Sequence, residues 1–352
     1  MNTLSQKILD GQRISADEAL ILLEKADIYQ LGFLARAVRE RLHPTPIVTY
    51  IVDRNINYTD ICISACKFCA FFKTPEDPAG SLLSFEELGK KIKETKELGG
   101  TQILLQGGLH PDKPLSYYVK MVRFIKRFGI HVHGFSPPEI WHFAQISKVS
   151  VPHVITRLRE AGLDSIPGGG AEILVDRVRK LTSPRKCTAA QWLLVMAAAH
   201  EQGLRTTATM MFGHLETVAE RIEHLVRLRD LQDRTGGFTA FIPWPFQPNN
   251  TALQNVLPTT AMTYLRLLAV SRIFLDNFSN IQASWVTQGP KIAELSLFFG
   301  ANDFGSTMIE ENVVAATGVS YRLSEQEIRR LVEDAGFTPR QRLMDYSLVG
   351  QE

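Results

Sequence analysis

Short apolar runs alternating with longer amphipathic ones restrict the fold of this chain more than any other feature. Strand-like runs at residues 101–105, 130–135, 205–211, 238–242 and 281–284 are separated by helical patterns at 115–127, 189–202, 218–233 and 260–277. A strand returned by a crossover helix lies parallel to its predecessor, whereas a tight hairpin makes its partner antiparallel. The rhythm therefore predicts an α/β fold, a (β/α)-type TIM-like barrel, full or partial, with an open doubly wound sheet as the competing architecture. In both, the groups that do chemistry collect at the C-terminal ends of the strands.

The punctuation supports this reading. Ser84 and Glu87 make a capping box ahead of Phe85, Leu88 and Ile92, and Gly99-Gly100 stops that helix. Ser15 caps a helix over 16–25, and a second over 30–42 ends before His43-Pro44-Thr45-Pro46. Residues 1–45 thus read as a helical extension, 46–320 as the barrel, and 321–352 as a C-terminal extension packed on it, with a helix at 324–335 and a short strand near Leu343. No repeat, low-complexity linker or second domain interrupts the pattern.

A chain of 352 residues with 45% hydrophobic and 22% charged residues buries a large core without cross-links. Its net charge of +2 contains no run of Lys or Arg, so no nucleic-acid or membrane-surface partner is expected. No apolar run approaches the ~20 residues that cross a bilayer, and charges interrupt the first twenty or so positions. The expected location is cytoplasmic.

Three of the four cysteines, Cys62, Cys66 and Cys69, fall within eight residues. A disulfide framework would spread them out, so Cys-x3-Cys-x2-Cys in a reducing compartment reads as a metal site. Each thiolate can hold one iron of a cubane cluster, leaving the fourth iron open to a small molecule. A structural zinc completed by Cys187 or a histidine, and a four-cysteine electron-transfer centre, are the alternatives. Cys187 reads most simply as an ordinary cysteine.

With Phe68 in the aromatic place, Cys-x3-Cys-x-aromatic-Cys resembles the signature of the radical S-adenosylmethionine superfamily. The resemblance implies a [4Fe–4S] cluster on the three cysteines, S-adenosyl-L-methionine chelated to its open iron, and Phe68 near the adenine. The superfamily's Gly-Gly-acidic turn is matched at Gln106-Gly107-Gly108 without the acid, and backbone groups there can approach the cofactor closely. The alternative is a plain strand-to-helix turn. Pro167-Gly168-Gly169-Gly170-Ala171-Glu172 brings Glu172 to the place of a carboxylate that related enzymes set near the cofactor; a solvated helix N-terminus competes. The segment Thr209 to Glu216 loosely matches a further cofactor motif, which makes Glu216 either a pocket residue or a first-turn carboxylate.

His131 and His133 alternate on one strand and share a face. If that face lines the barrel, His133 meets substrate; a hydrogen-bonded structural role is the other reading, and His110 carries the same two. Trp244 and Phe246 are either ligand contacts or core.

Longer phrases are similar to the cyclic dehypoxanthine futalosine synthase family: residues 54–59, 100–111, 134–140, 208–214 and 241–248. That resemblance implies a small-molecule substrate, dehypoxanthine futalosine, on the futalosine route to menaquinone. It implies removal of the ribose C4′ hydrogen by a 5′-deoxyadenosyl radical, addition of the carbon radical to the aromatic ring, and loss of a proton and an electron. A reductant such as flavodoxin or ferredoxin is implied too. A base would assist the last step, with His110, His133, Glu172 and Glu216 as candidates. Aminofutalosine synthase and deazaflavin (FO) synthase are the alternatives within this chemistry. A metal-stabilised binding or electron-carrier protein is the alternative outside it.

Overall fold

The computed structural model describes residues 2–350. Residues Ile47–Ile51 (β1) and Asp53–Asn57 (β2) make one extended stave broken at Val52, and the break lets it serve two sheets. From β2, a seven-stranded parallel sheet continues through Gln102–Gln106 (β3), His131–Gly134 (β4), Ser165–Ile166 (β5), Arg205–Phe212 (β6), Phe238–Pro245 (β7) and Asn280–Ile281 (β8). β1 lies between Asp303–Ser306 (β9) and Thr338–Gln341 (β10), parallel to both.

The two sheets join where Gln282 bridges Asp303 and the Ala283 amide donates to the Asp303 carbonyl at 2.9 Å. The pairings therefore run round a ring of eight staves, from β1/β2 through β9 and back to β1. Strand order follows chain order without reversal, so there is no switch point of a doubly wound sheet.

The helices that separate the staves begin where local chemistry caps them. Ser15–Glu18, Ser84–Glu87, Thr188–Gln191, Thr217–Glu220 and Ser324–Glu327 all form reciprocal capping boxes. The N-terminal helices Ala16–Lys25 and Ile28–Leu42 are strapped to the barrel wall. Arg266 donates to the carbonyls of Leu23 and Ala26 at 3.1 and 2.7 Å, and Arg13 pairs with Asp233 and Asp276.

The strand expected near Leu343 lies at Thr338–Gln341 instead, and the residues after it turn into the barrel. There Arg342 donates to both oxygens of Asp303 at 2.5 and 3.1 Å, and Asp303 also accepts from Thr49. Gln102 donates to Asp53 at 2.6 Å, and Ser306 donates to the same carboxyl. Burial pushes the Asp53 carboxyl up. This hydrogen-bonded layer closes the barrel floor, and its ion pair is tolerated there because both Asp303 oxygens accept hydrogen bonds, from Arg342, Thr49 and Gly305 N–H. Among the described residues, no helix is long and apolar enough to cross a membrane.

Candidate active site

The cysteine loop follows β2 and sits at the C-terminal mouth of the barrel. It is tied down on several sides. Cys62 N–H donates to Lys73 O at 2.9 Å, Ile63 N–H to Leu109 O at 3.0 Å, and Lys67 N–H to Thr182 O at 2.8 Å. Ala65, between the first two cysteines, holds a left-handed φ of 47°. Two sulfurs already have polar neighbours: Leu109 N–H donates to Cys62 Sγ at 3.3 Å, and Ser64 Oγ lies 3.1 Å from Cys66 Sγ.

Burial pushes the Cys66 thiol up to about 11 and raises Cys69 as well. At Cys66 and Cys69 burial thus disfavours the thiolate, and a bound metal cation would compensate it. Among the described residues, no three ligand-type side chains converge as on a single ion. A cubane makes a different demand, since it takes each thiolate on a separate iron. The donor set therefore fits a [4Fe–4S] cluster.

The Gly107-Gly108 turn at the end of β3 packs directly beneath this loop. A Cβ on Gly108 would lie 2.2 Å from the Ile61 carbonyl oxygen and 2.9 Å from Cys62 Cβ, so only glycine fits. The turn lacks an acidic residue of its own, but Glu139 reaches it from the first turn of the helix Pro137–Ser147 that follows β4. The fully buried Glu139 carboxyl accepts from Gly107 N–H at 3.0 Å, Tyr58 Oη at 2.7 Å, Ser136 N–H at 2.7 Å and Ser136 Oγ at 2.5 Å. Burial pushes this carboxyl up to about 7 against the pull of those donors.

Opposite, the bend Gly168–Gly170 leads to Glu172, whose backbone holds a left-handed φ of 40°. Such strain in a non-glycine residue persists where surroundings fix it, and here they do. Lys186 donates to Glu172 Oε1 at 3.0 Å, and Arg179 stands 3.6 Å from Oε2. Burial opposes the Lys186 charge, but Glu172 and then Cys66 outweigh it and raise its pKa. Lys186 Nζ also lies 5.2 Å from the centre of the Phe68 ring. Phe68, Lys186 and Glu172 thus form a continuous wall from the cysteine loop into the barrel. Glu172 Oε2, though buried, has no hydrogen-bond partner, which leaves an acceptor for a bound donor.

Inside the staves lies a cavity of about 260 Å³, lined by Gln106, His133, Glu172, Thr209, Trp244 and, at its floor, Arg342, among others. The Gln106 side chain passes over Gly169, where a Cβ would come 2.2 Å from its amide nitrogen. Burial lowers the His133 pKa well below the usual range, so its ring is neutral.

Of the residues singled out from the sequence, Gln106, His133, Glu172 and Trp244 line this cavity, and Phe68 and the Gly107-Gly108 turn adjoin it through the contacts above. Three others turn away. Glu216 accepts from Gly213 N–H at 2.6 Å, His214 N–H at 3.0 Å and Arg221 Nε at 2.8 Å, so it closes its own loop. Burial works against its charge, but His214, Arg221 and the amides outweigh burial and hold the carboxyl low. His110 accepts from Asp112 N–H at 3.2 Å within its turn. Phe246 is buried against the His214 ring.

Sequence reasoning passed over Glu139, Arg179, Lys186 and Arg342. Only Glu139 carried a local signal, since Ser136-Pro137-Pro138-Glu139 has the spacing of a capping box.

A parallel barrel with this cysteine loop at the C-terminal mouth, beside a cavity edged by a carboxylate oxygen that accepts no hydrogen bond, defines a radical S-adenosylmethionine enzyme. The description "Radical SAM superfamily" matches residues 56–228, and "CofH/MqnC C-terminal region" matches 235–351. The chain is 46% identical to the cyclic dehypoxanthine futalosine synthase of Halalkalibacterium halodurans, over 98% of this chain and 94% of that one. It is 47% identical to that of Streptomyces coelicolor, over 97% and 88%. It belongs to the cyclic dehypoxanthine futalosine synthase family. Among solved structures, methylornithine synthase (PylB) shares the fold, with a TM-score of 0.74 and 19% identity over 96% of this chain and 97% of that one.

Proposed function

We propose that this chain converts dehypoxanthine futalosine to its cyclic form on the futalosine route to menaquinone. The observation that carries this reading is the cavity. It is closed below by the Arg342–Asp303 pair, joined to the cysteine loop through Glu172, Lys186 and Phe68, and walled by Trp244 and Ile242 between polar groups. Such a space suits an aromatic ring joined to a sugar.

Cys62, Cys66 and Cys69 would hold the cluster, and Phe68, Gln106, the Gly107-Gly108 turn and Glu172 would hold S-adenosylmethionine. When bound, this pair supplies the one-electron chemistry that removes a hydrogen atom from the substrate sugar. The chain's own task is to orient the sugar carbon against the ring and to keep water out. It must also accept the proton that leaves when the ring regains aromaticity. His133 suits that task better than the other candidates. Its ring is neutral and faces the cavity, whereas Glu172 is ion-paired with Lys186, and His110 and Glu216 point elsewhere. A reductant of flavodoxin or ferredoxin type would deliver the initiating electron.

Anaerobic turnover tests the reading. Reconstituted protein, a strong reductant and S-adenosylmethionine are mixed with dehypoxanthine futalosine, and products are followed by mass. The expected result is 5′-deoxyadenosine in step with a product lighter by two hydrogen atoms. Slow 5′-deoxyadenosine formation indifferent to this substrate would reject the proposed substrate while leaving the enzyme class intact.

A further inference from the structure

We propose that His133, Ser165 and His131 form a relay that carries the proton lost on ring closure from the cavity to the barrel floor. The proposal rests on the cyclisation reading above. Its physical basis is a continuous hydrogen-bonded chain across the barrel wall. Ser165 on β5 is the register partner of His133 on β4. Its hydroxyl oxygen lies 2.8 Å from His133 Nδ1 and 2.7 Å from His131 Nε2. Period-two geometry sets the two imidazoles one above the other on the same face of β4, and the serine bridges them.

Burial grades along this chain. His133 and Ser165 are buried at 6% and 1% exposure, while His131, one layer nearer the floor, is partly exposed. His133 lines the cavity, and its Nε2 has no hydrogen-bond partner among the described residues. One end of the chain therefore meets substrate and the other meets water. A serine hydroxyl has one proton, so between two rings it accepts from one and donates to the other, which gives the chain a direction.

The surrounding charges favour transit toward the floor. His133 faces His131 and Arg342, and Arg342 is neutralised by Asp303. His131 faces Asp164, Lys126 and Asp345; Lys126 is paired with Asp164 at 2.7 Å. A transient positive charge is thus better supported at His131 than at His133. Burial lowers both ring pKa values, so both stand neutral and ready to accept at neutral pH.

The transfer balances in one pass. The ring C–H bond breaks, its proton goes to His133 Nε2, and the electron left behind passes to an iron–sulfur acceptor. The Nδ1 proton of His133 moves to Ser165 Oγ, the serine's own proton moves to His131 Nε2, and the Nδ1 proton of His131 leaves to water. Rotation of the hydroxyl and exchange of ring tautomers reset the chain.

The test uses the reconstituted holoenzyme with Ser165→Ala, Ser165→Thr and His131→Gln, and reads cyclic product formed per 5′-deoxyadenosine. Ser165→Ala and His131→Gln should lower that ratio by about tenfold or more, in the range of a lost proton-transfer group. Ser165→Thr, which keeps the hydroxyl, should restore it. A purely structural serine would instead change the melting temperature and leave the ratio alone. Wild-type ratios in folded Ser165→Ala would overturn the relay; if that variant does not fold, His131→Gln, altered at a partly exposed ring, decides by the same ratio.

A second readout is independent of turnover. Ring-nitrogen NMR of the wild-type protein should show both histidines neutral at pH 7, with the His133 proton on Nδ1. A proton resting on His133 Nε2 would overturn the relay, since that nitrogen could not accept. Absence of any product from wild-type enzyme with dehypoxanthine futalosine would reject the functional reading and the relay's role with it, whereas product with a His133 proton on Nε2 would reject the relay alone.

Discussion

Glu139 shows how one side chain replaces a missing motif residue. The Gly107-Gly108 turn has no acid beside it, yet the carboxyl that steadies it arrives from the first turn of the helix after β4 and also holds Tyr58 and Ser136. Glu139→Gln keeps the size but puts an amide NH2 where an acceptor was, so at least one buried donor loses its partner. We expect a loss of about 1–3 kcal/mol, seen as a lower melting temperature in the cluster-free protein; an unchanged melt would show that the turn holds itself. What was legible at this scale was local. The spacing of Cys62, Cys66, Phe68 and Cys69 lies within one loop and could be read directly. Glu139 could be read as a cap but not as the anchor of Gly107, because that pairing joins the turn after β3 to a helix 32 residues further on. Lys186 and Arg179 gain their meaning only when the bend at Glu172 folds onto them, and Glu216 looked free only because its loop partners cannot be seen in a linear chain.

Elements were readable where they punctuate themselves. The capping boxes at Ser84 and Ser324 mark helices that form where the pattern predicts. β5, with two residues, is too short to show a period, β8 falls at Asn280–Ile281 at the head of the run expected over 281–284, and the closure by β9 is a long-range event that no local pattern records. β10 is the element whose removal should matter most. It pairs with β1 and delivers Arg342 to Asp303 in the closed floor. Arg342→Met leaves a buried carboxylate without its cation, which should cost about 3–5 kcal/mol. Urea denaturation of the variant checks this, and a shift under about 1 kcal/mol would mean that Thr49 and the neighbouring amides suffice for Asp303.

The molecule as a whole should be acid-sensitive for a reason visible in its interior. His133 and His224 are buried, His200 is half-buried, and all three are neutral; burial lowers His200 to about 4 and His224 to about 3. Unfolded histidines titrate near 6.5, so between about 4 and 6.5 the unfolded chain binds more protons and stability falls as pH falls. Glu139 works in the opposite direction. With a folded value of about 7 above its unfolded 4.5, its contribution is greatest at low pH and fades as pH rises. Asp53, also raised, acts with Glu139, but His43, His110, His131 and His214 are lowered too, so the histidines prevail and the urea midpoint should be lower at pH 5 than at pH 7; an equal or higher midpoint would contradict this. The divided stave at Val52 has a further consequence for how the protein comes into being. Because β1 is completed only by β9 and β10, a chain growing from its N-terminus exposes the cysteine loop long before the ring can shut. Closure thus waits for β9 and β10, and iron and sulfide can reach Cys62, Cys66 and Cys69 while the vessel is still open.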